Sequence, residues 1–311
     1  MMVPAVLLLL GALTAVVAPR LLARADWPDR EPVVALWVWQ CVVAAVLMCC
    51  ALAMALSAAA AWQAVRGHVF APAPHGVVEA YALSTTGPWA ATTAVALACA
   101  GLWSGAMLVR EFAAARGRLR RQRSELSLRA PLLPGEEPAS GRLVVLEGER
   151  SDAWWLPGGV PRLVVTTAAL RRLKGRQLDA VLAHEQGHAQ ARHDWLLHCS
   201  AALATGFPQV PVFAAFRAEM HRLVELAADD TASRRFGRLT TALALVELNE
   251  DRGVFGPSPV QQAHLPQRVH RLLTPADRLT AARRLRLTAA ASLVPVVPVL
   301  VTLVPALRAL G

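Results

Sequence analysis

The stretch that decides the fold runs from Val164 to Asp194 and reads VVTTAALRRLKGRQLDAVLAHEQGHAQARHD. Inside it, the residues His184-Glu185-Gln186-Gly187-His188 have the form H-E-x-x-H. Residues four apart lie on one face of a helix, so both imidazoles can bind a single metal ion. Glu185 lies beside them, where its carboxylate can take a proton from metal-bound water. Apolar residues recur at helical spacing before the motif and predict a helix over about residues 176–193.

A catalytic zinc ion needs a third protein ligand and an open fourth position. Downstream, residues 225–229 read ELAAD within a second helical pattern. Glu225 can face the metal, and Asp229, one turn later, can accept a hydrogen bond from a ligating histidine and fix its tautomer. Asp194 is an alternative acceptor. We therefore expect one Zn²⁺ per chain.

Two other questions about the site stay open at this stage. The spacing of His193 and His198 from His188 makes neither of them a clear ligand. The only tyrosine is predicted to lie outside the cell, so the group that would stabilise an oxyanion must be sought among His221, His264, Arg268 and His270.

At these residues the chain resembles the membrane zinc peptidases of the gluzincin type, over roughly residues 163–232. Two groups share the pattern, the BlaR/MecR-type antirepressor peptidases and the HtpX and CAAX-prenyl endopeptidase group. The resemblance implies His184, His188 and Glu225 as zinc ligands and Glu185 as the catalytic base. The expected order of membrane spans is more similar to the BlaR/MecR type. The sequence ends at Gly311, so we expect it to lack the penicillin-sensor domain of the β-lactam-sensing members.

The composition indicates a membrane protein, since 55% of the residues are hydrophobic, 17% are charged and the mean hydropathy is +0.40. These values exclude a disordered chain. A helix needs about 20 apolar residues to cross the hydrocarbon of a bilayer. Four runs free of charged residues match or approach that length, at residues 2–19, 32–65, 88–109 and 287–307. The five cysteines show no paired spacing, so no disulfide framework is predicted.

Arginines predict the orientation, because positive residues beside membrane spans favour the cytoplasmic side. They concentrate in the loop after the first run, in residues 110–129 and just before the last run. We expect a multi-pass protein of the cytoplasmic (inner) membrane, with its N-terminus outside and its zinc domain in the cytoplasm. Residues 110–129 should form a basic helix that contacts anionic lipid headgroups. No nucleic-acid binding is expected, because no aromatic residues interleave with these arginines.

The chain is predicted to be mainly α, a multi-span transmembrane protein with a cytoplasmic α+β zincin-like domain. Its expected parts are a three-helix membrane domain (1–109), a basic segment and linker (110–140), the zinc domain (141–286) and a last span (287–311). Short strand signals at 143–146, 153–156 and 163–165 indicate a small antiparallel sheet, one strand of which could pair with an extended substrate.

Residues 195–216 form a fifth run without charged residues. A single crossing there would place Glu225 on the opposite side of the membrane from His184, and 22 residues are too few to cross twice. Gly206 and Pro208 interrupt the run near its middle. We therefore expect a re-entrant or interfacial helical hairpin, the alternative being a hairpin buried in the protein core.

Together these features predict an integral membrane zinc metalloendopeptidase that cleaves a protein or peptide at the cytoplasmic face. Its role would be the regulated proteolysis of a repressor or signalling protein. An HtpX-like quality-control protease is an alternative. A non-enzymatic zinc-binding membrane receptor is another, although the intact Glu185 argues against it. A transporter is disfavoured because the four main runs contain no ionisable groups. The sequence leaves the oligomeric state open.

Overall fold

The computed structural model describes residues 2–66, 88–129, 142–156, 162–249, 264–274 and 278–310. The predicted linker at 131–138 and the turn at 157–159 lie outside these ranges. The described part is mainly helical with one small sheet, as the sequence predicts. Most helices pack on their neighbours through Ala, Leu and Val side chains.

The first helices form an apolar bundle. They are α1 (Met2–Ala23), the short α2 (Trp27–Arg30), α3 (Pro32–Arg66) and α4 (Pro88–Arg129). Within the described ranges, two helical segments are long and apolar enough to cross a membrane, Met2–Ala23 and Pro32–Ala60. The third predicted span and the basic segment that follows it form one continuous helix, α4. The arginines of 110–129 are thus a direct extension of an apolar helix.

The sheet contains three strands, β1 (Arg142–Leu146), β2 (Ala153–Leu156) and β3 (Arg162–Thr166), in the order β1-β3-β2. The predicted antiparallel sheet is wrong in one respect, because β1 pairs with β3 in parallel while β2 pairs with β3 antiparallel. The connection between β1 and β2 passes over the end of β3. There the Thr166 hydroxyl donates to the Arg150 carbonyl and accepts from the Asp152 amide. β3 is therefore inserted between the two strands that precede it.

The helix that carries the motif is shorter than predicted. Thr166 caps α5 (Thr167–Arg172) by accepting a hydrogen bond from the Ala169 amide, as expected for a threonine at this position. After a turn, α6 runs from Arg176 to Gln190. It ends there because Arg192 adopts a left-handed conformation with φ of 52°. The chain then reverses into α7 (His193–Gly206).

The interrupted run at 195–216 is a helical hairpin. α7 ends at Gly206, and α8 (Pro211–Phe236) begins four residues after Phe207 forms the C-cap of α7. The hairpin packs on the first half of α3, where the rings of Trp39 and Phe216 lie 6.3 Å apart. Leu203, Val212 and Phe213 belong to the same buried cluster. The α7–α8 hairpin and the apolar bundle therefore share one core.

Four further helices complete the described chain. They are α9 (Arg238–Asn249), α10 (Leu265–Leu273), α11 (Ala281–Leu293) and α12 (Val296–Leu310). The helical pair Ala281–Leu293 and Val296–Pro305 is bent by 41° and would be a third membrane segment if it is one broken span. This pair contains the predicted span at 287–307. Trp37 of α3 donates to the Ser292 hydroxyl, so α11 lies beside α3.

Candidate metal centre

One face of α6 presents the two histidines of the motif. His184 and His188 are one turn apart, and their Nε2 atoms are separated by 3.1 Å. Glu185 lies on the adjacent side of the helix, where its Oε2 accepts a hydrogen bond of 3.1 Å from the Trp155 amide of β2. The edge strand therefore fixes the position of Glu185.

Glu225 of α8 approaches both histidines. Its Oε2 is 3.6 Å from His184 Nε2, and its Oε1 is 3.6 Å from His188 Nε2. These three residues offer ligand atoms that all lie within 4.8 Å of one another. Ligands about 2.0–2.1 Å from a tetrahedral ion would be about 3.3 Å apart, which is close to these separations. Two imidazoles and a carboxylate are also a donor set that zinc accepts. The residues present therefore fit a zinc ion.

The close approach of α6 and α8 depends on Gly187. A Cβ atom there would lie 3.2 Å from the Thr231 Cβ and 3.4 Å from the Ala228 Cα. Glycine at the fourth position of the motif thus leaves room for α8. Sequence reasoning named this residue only as part of the motif, and the packing role was not predicted.

A buried ionic network lies beneath the candidate ligands. Asp229 is fully buried, and its Oδ1 lies 3.1 Å from His184 Nδ1. Arg268 of α10 donates to both oxygens of Asp229, at 2.7 and 2.8 Å, and its Nη1 lies 2.7 Å from Glu225 Oε2. One guanidinium therefore pairs with two buried carboxylates and lowers the cost of burying their charge, although the three groups together keep one net negative charge. The sequence suggested Arg268 only as a possible oxyanion group.

This network shifts the pKa values of its members. Burial alone would lower the pKa of His184, but hydrogen bonds and charges from Asp229 and Glu225 outweigh it and raise the pKa to about 10. Burial favours the neutral forms of Glu225 and Asp229, yet Arg268 and the histidines hold both pKa values well below the usual range. Burial lowers the pKa of His188 to about 3. The two carboxylates are thus kept ionised, ready to bind a cation.

His193 lies behind the second histidine of the motif. Its Nδ1 is 3.0 Å from His188 Nδ1, and its side chain is buried. Burial lowers its pKa to about 4. The left-handed turn at Arg192 folds the start of α7 back onto α6. A spacing of five residues could not reveal this contact, because it depends on where α6 ends.

The other predicted residues lie in different places. Asp194 lines the cavity beside the ligands, and its backbone carbonyl accepts a hydrogen bond from His198 Nδ1. Asp230 points away from the ligands and pairs with Arg271 at 2.9 Å. Of the four residues suggested for an oxyanion, Arg268 alone lines the cavity, and its guanidinium is already engaged. His221, one turn before Glu225, has a buried Nδ1 without a hydrogen-bond partner.

The site opens into a cavity of about 460 Å³. Residues of β2 and of α9 line it together with the candidate ligands and Glu185. The α9 wall is mostly apolar, since Ala244, Leu245 and Leu248 line it on one helix face. The cavity therefore combines an apolar wall, ionised carboxylates and a candidate metal centre, which is an arrangement typical of a binding or catalytic site.

Comparison with known proteins agrees with this geometry. The family model described as peptidase family M48 matches residues 115–274, which is just over half of the chain. The match extends from the basic part of α4 to the end of α10 and so includes every residue of the candidate centre. Searches of curated proteins and of solved structures gave no match.

Proposed function

The chain belongs to peptidase family M48, and on that premise we propose that it is an integral membrane zinc metalloendopeptidase acting at the cytoplasmic face of the membrane. Members of this family are zinc metallopeptidases that hydrolyse protein or peptide substrates. The observation that carries the proposal is the convergence of His184, His188 and Glu225, with Glu185 on the same cavity.

In this proposal His184, His188 and Glu225 hold the zinc ion, and Asp229 keeps His184 in the tautomer that binds through Nε2. When bound, the ion would supply Lewis acidity, which activates water and polarises a carbonyl group. Glu185 takes the proton of the attacking water and passes it to the leaving amine nitrogen. The Trp155 amide keeps the Glu185 carboxylate oriented for both transfers.

We propose that the substrate binds as an extended strand along β2. Within the described residues β2 is an edge strand, bonded to β3 on one side. Its residues Ala153 to Trp155, with Asp152 just before the strand, line the cavity that contains Glu185. An unpaired edge offers amide and carbonyl groups to a peptide backbone, and this places a scissile bond over the catalytic carboxylate.

The proposed membrane location rests on the apolar helices α1 and α3. The α7–α8 hairpin packs on α3, so the zinc centre would lie close to the membrane surface that α3 enters. The arginines before Pro32 and before Ala281 indicate that this surface is cytoplasmic. The arginines of α4 would bind anionic lipid headgroups there.

For the biological role, we propose regulated proteolysis of a repressor or signalling protein. Its support is the likeness in span order to the BlaR/MecR-type peptidases. This role can be tested in cells in which Glu185→Gln replaces the wild type. The membrane and cytoplasmic proteins that accumulate there are compared with those of wild-type cells. Accumulation of one regulatory protein supports it, whereas accumulation of many misfolded membrane proteins supports the quality-control alternative.

Zinc content and proteolysis, measured together on purified protein in detergent, test the activity. Wild type and Glu185→Gln should each hold one zinc per chain, and only the wild type should cleave casein or itself. Glu149→Gln, an exposed glutamate outside the cavity, is the matched control and should cleave like the wild type. Wild-type protein without zinc, or equal cleavage by Glu185→Gln, would refute the proposal.

A further inference from the structure

A second cavity carries an unusual excess of positive charge. It has a volume of about 250 Å³ and is separate from the zinc centre. Five arginines from four parts of the chain line it, Arg30, Arg234, Arg238, Arg271 and Arg278, against two aspartates. We call it the arginine pocket. Five positive charges and two negative charges leave an excess of three.

The two aspartates are already neutralised within the protein. Asp29 of α2 pairs with Arg222 of α8, and its backbone carbonyl accepts a hydrogen bond from Arg271. Asp230 pairs with Arg271 at 2.9 Å and with Arg278 at 3.6 Å. These contacts tie α2, α8 and α10 together and build the walls of the pocket.

Three arginines of the pocket have no carboxylate partner within the part of the chain that the structure describes. Among the described residues, no ion pair links Arg30, Arg234 or Arg238 to an acidic side chain, and all three are exposed. Arg238 donates to the carbonyls of Arg271 and Thr274. Arg234 lies in the last turn of α8, where a positive charge favours the helix dipole. Arg30 is the last residue of the four-residue helix α2 and reaches the pocket from a distant part of the chain.

The position of the pocket suggests its ligand. Arg30 lies between the end of α1 at Ala23 and the start of α3 at Pro32, and Arg278 precedes α11, which begins at Ala281. The pocket therefore lies beside the end of α1, the start of α3 and the start of the bent pair that begins with α11. Phosphate groups of lipids lie at that level of a bilayer, and arginine binds phosphate with paired hydrogen bonds.

We propose that the arginine pocket binds a phosphate monoester, either on a lipid headgroup or on a soluble molecule. The anion supplies the negative charge that the pocket lacks. It also bridges α2, which joins two apolar helices, to α8 and α10, which carry Asp229 and Arg268. This inference does not depend on the catalytic role, since it concerns separate residues and a separate measurement.

Native mass spectrometry of the zinc-loaded full chain in detergent tests the proposal, with phosphatidic acid as the lipid probe and phosphatidylcholine of the same acyl chains as its reference. Arg30→Gln/Arg234→Gln should bind phosphatidic acid about thirtyfold more weakly than the wild type, if each arginine near the surface contributes about 1 kcal/mol. Arg30→Lys/Arg234→Lys should recover part of the binding. Zinc content and circular dichroism check that the variants fold.

A calorimetric titration with glycerol 3-phosphate distinguishes the two sources. If phosphatidic acid and glycerol 3-phosphate both bind, and both bind more weakly to Arg30→Gln/Arg234→Gln, the pocket also takes free phosphates. Binding of phosphatidic acid alone supports a headgroup site. The matched control is Arg171→Gln/Arg176→Gln, which removes two exposed arginines from α5 and α6, outside the pocket and outside the basic part of α4. Equal binding of phosphatidic acid by the wild type and the Gln variant, or an equal loss in this control, overturns the proposal.

Discussion

At the scale of single residues, the buried pair of Asp229 and Arg268 contacts both His184 and Glu225, so we expect it to set the metal affinity of the candidate centre. Asp229→Asn keeps the shape but removes the charge that faces His184 and Arg268. Loss of such a partner commonly costs 10–100-fold in metal affinity, and we expect a loss of about that size. A zinc competition assay with a chelator measures it. Asp230 is the next residue but contacts Arg271, so the zinc affinity of Asp230→Asn should be within about twofold of that of the wild type. Wild-type affinity in Asp229→Asn would contradict the expectation.

The raised pKa of His184 predicts that zinc binding releases a proton. Without metal, the carboxylates keep His184 protonated up to about pH 10, whereas His188, with a pKa of about 3, is already neutral at pH 7. Zinc must displace the His184 proton, so the apparent Kd should fall about tenfold for each unit that the pH rises between 6 and 8. Calorimetry in buffers of different ionisation enthalpy should give one proton released per zinc. A value of zero would show that His184 is neutral in the free protein.

The candidate ligands could be proposed from the sequence because their spacing is a local property of helices. His184 and His188 lie one turn apart on α6, and Glu225 and Asp229 lie one turn apart on α8. Arg268 and His193 could not be assigned in this way. Their contacts depend on where α10 packs and where α6 ends, and neither is fixed by a short pattern.

At the scale of elements, Gly187 allows α6 and α8 to pack closely enough to bring the candidate ligands together. Gly187→Val would place methyl groups against Thr231 and the backbone of Ala228, which cannot move without shifting α8. We expect a destabilisation of about 1–3 kcal/mol from overpacking, together with weaker zinc binding. Thermal unfolding and chelator competition measure the two effects. Gly117→Val makes the same change in α4, where nothing lies within 4 Å of the added Cβ, and zinc affinity should be unaffected.

Element boundaries show where local patterns stop being informative. The three strands were predicted because side-chain alternation and turn signals act over a few residues. The order β1-β3-β2 was not, since it depends on the connection that Thr166 holds across the end of β3. Likewise, α6 ends at Gln190 because the chain turns at Arg192, although the residues up to His193 suit a helix.

At the scale of the whole molecule, the catalytic helices and the apolar bundle cannot be separated without breaking one core. Trp39 of α3 packs on Phe216 of α8, while Val33 and Val34 lie near Ala227 and Thr231. Residues later in α8 thus lie beside residues earlier in α3, so the two helices are antiparallel. The sequence predicted a hairpin because His184 and Glu225 must lie on the same side of the membrane. The antiparallel arrangement is consistent with that argument.

The antiparallel packing predicts how deep the hairpin reaches. Trp39 is seven residues after Pro32, about 10 Å along α3, and the hairpin tip lies about five residues beyond Phe216, a further 8 Å or so. The exposed Gln209 at the tip should therefore lie roughly 18 Å from the end of α3, near the middle of a hydrocarbon layer about 30 Å thick.

A spin label at Gln209, in a background without the five cysteines and reconstituted in lipid vesicles, measures this depth. We expect a label at Gln209 to be more accessible to oxygen than to a water-soluble nickel chelate. A label at the exposed Lys174 of the zinc domain should show the reverse. Equal access of the chelate to both positions would place the hairpin outside the bilayer, and the shared core with α3 would then mean that α3 projects from the membrane over its first turns.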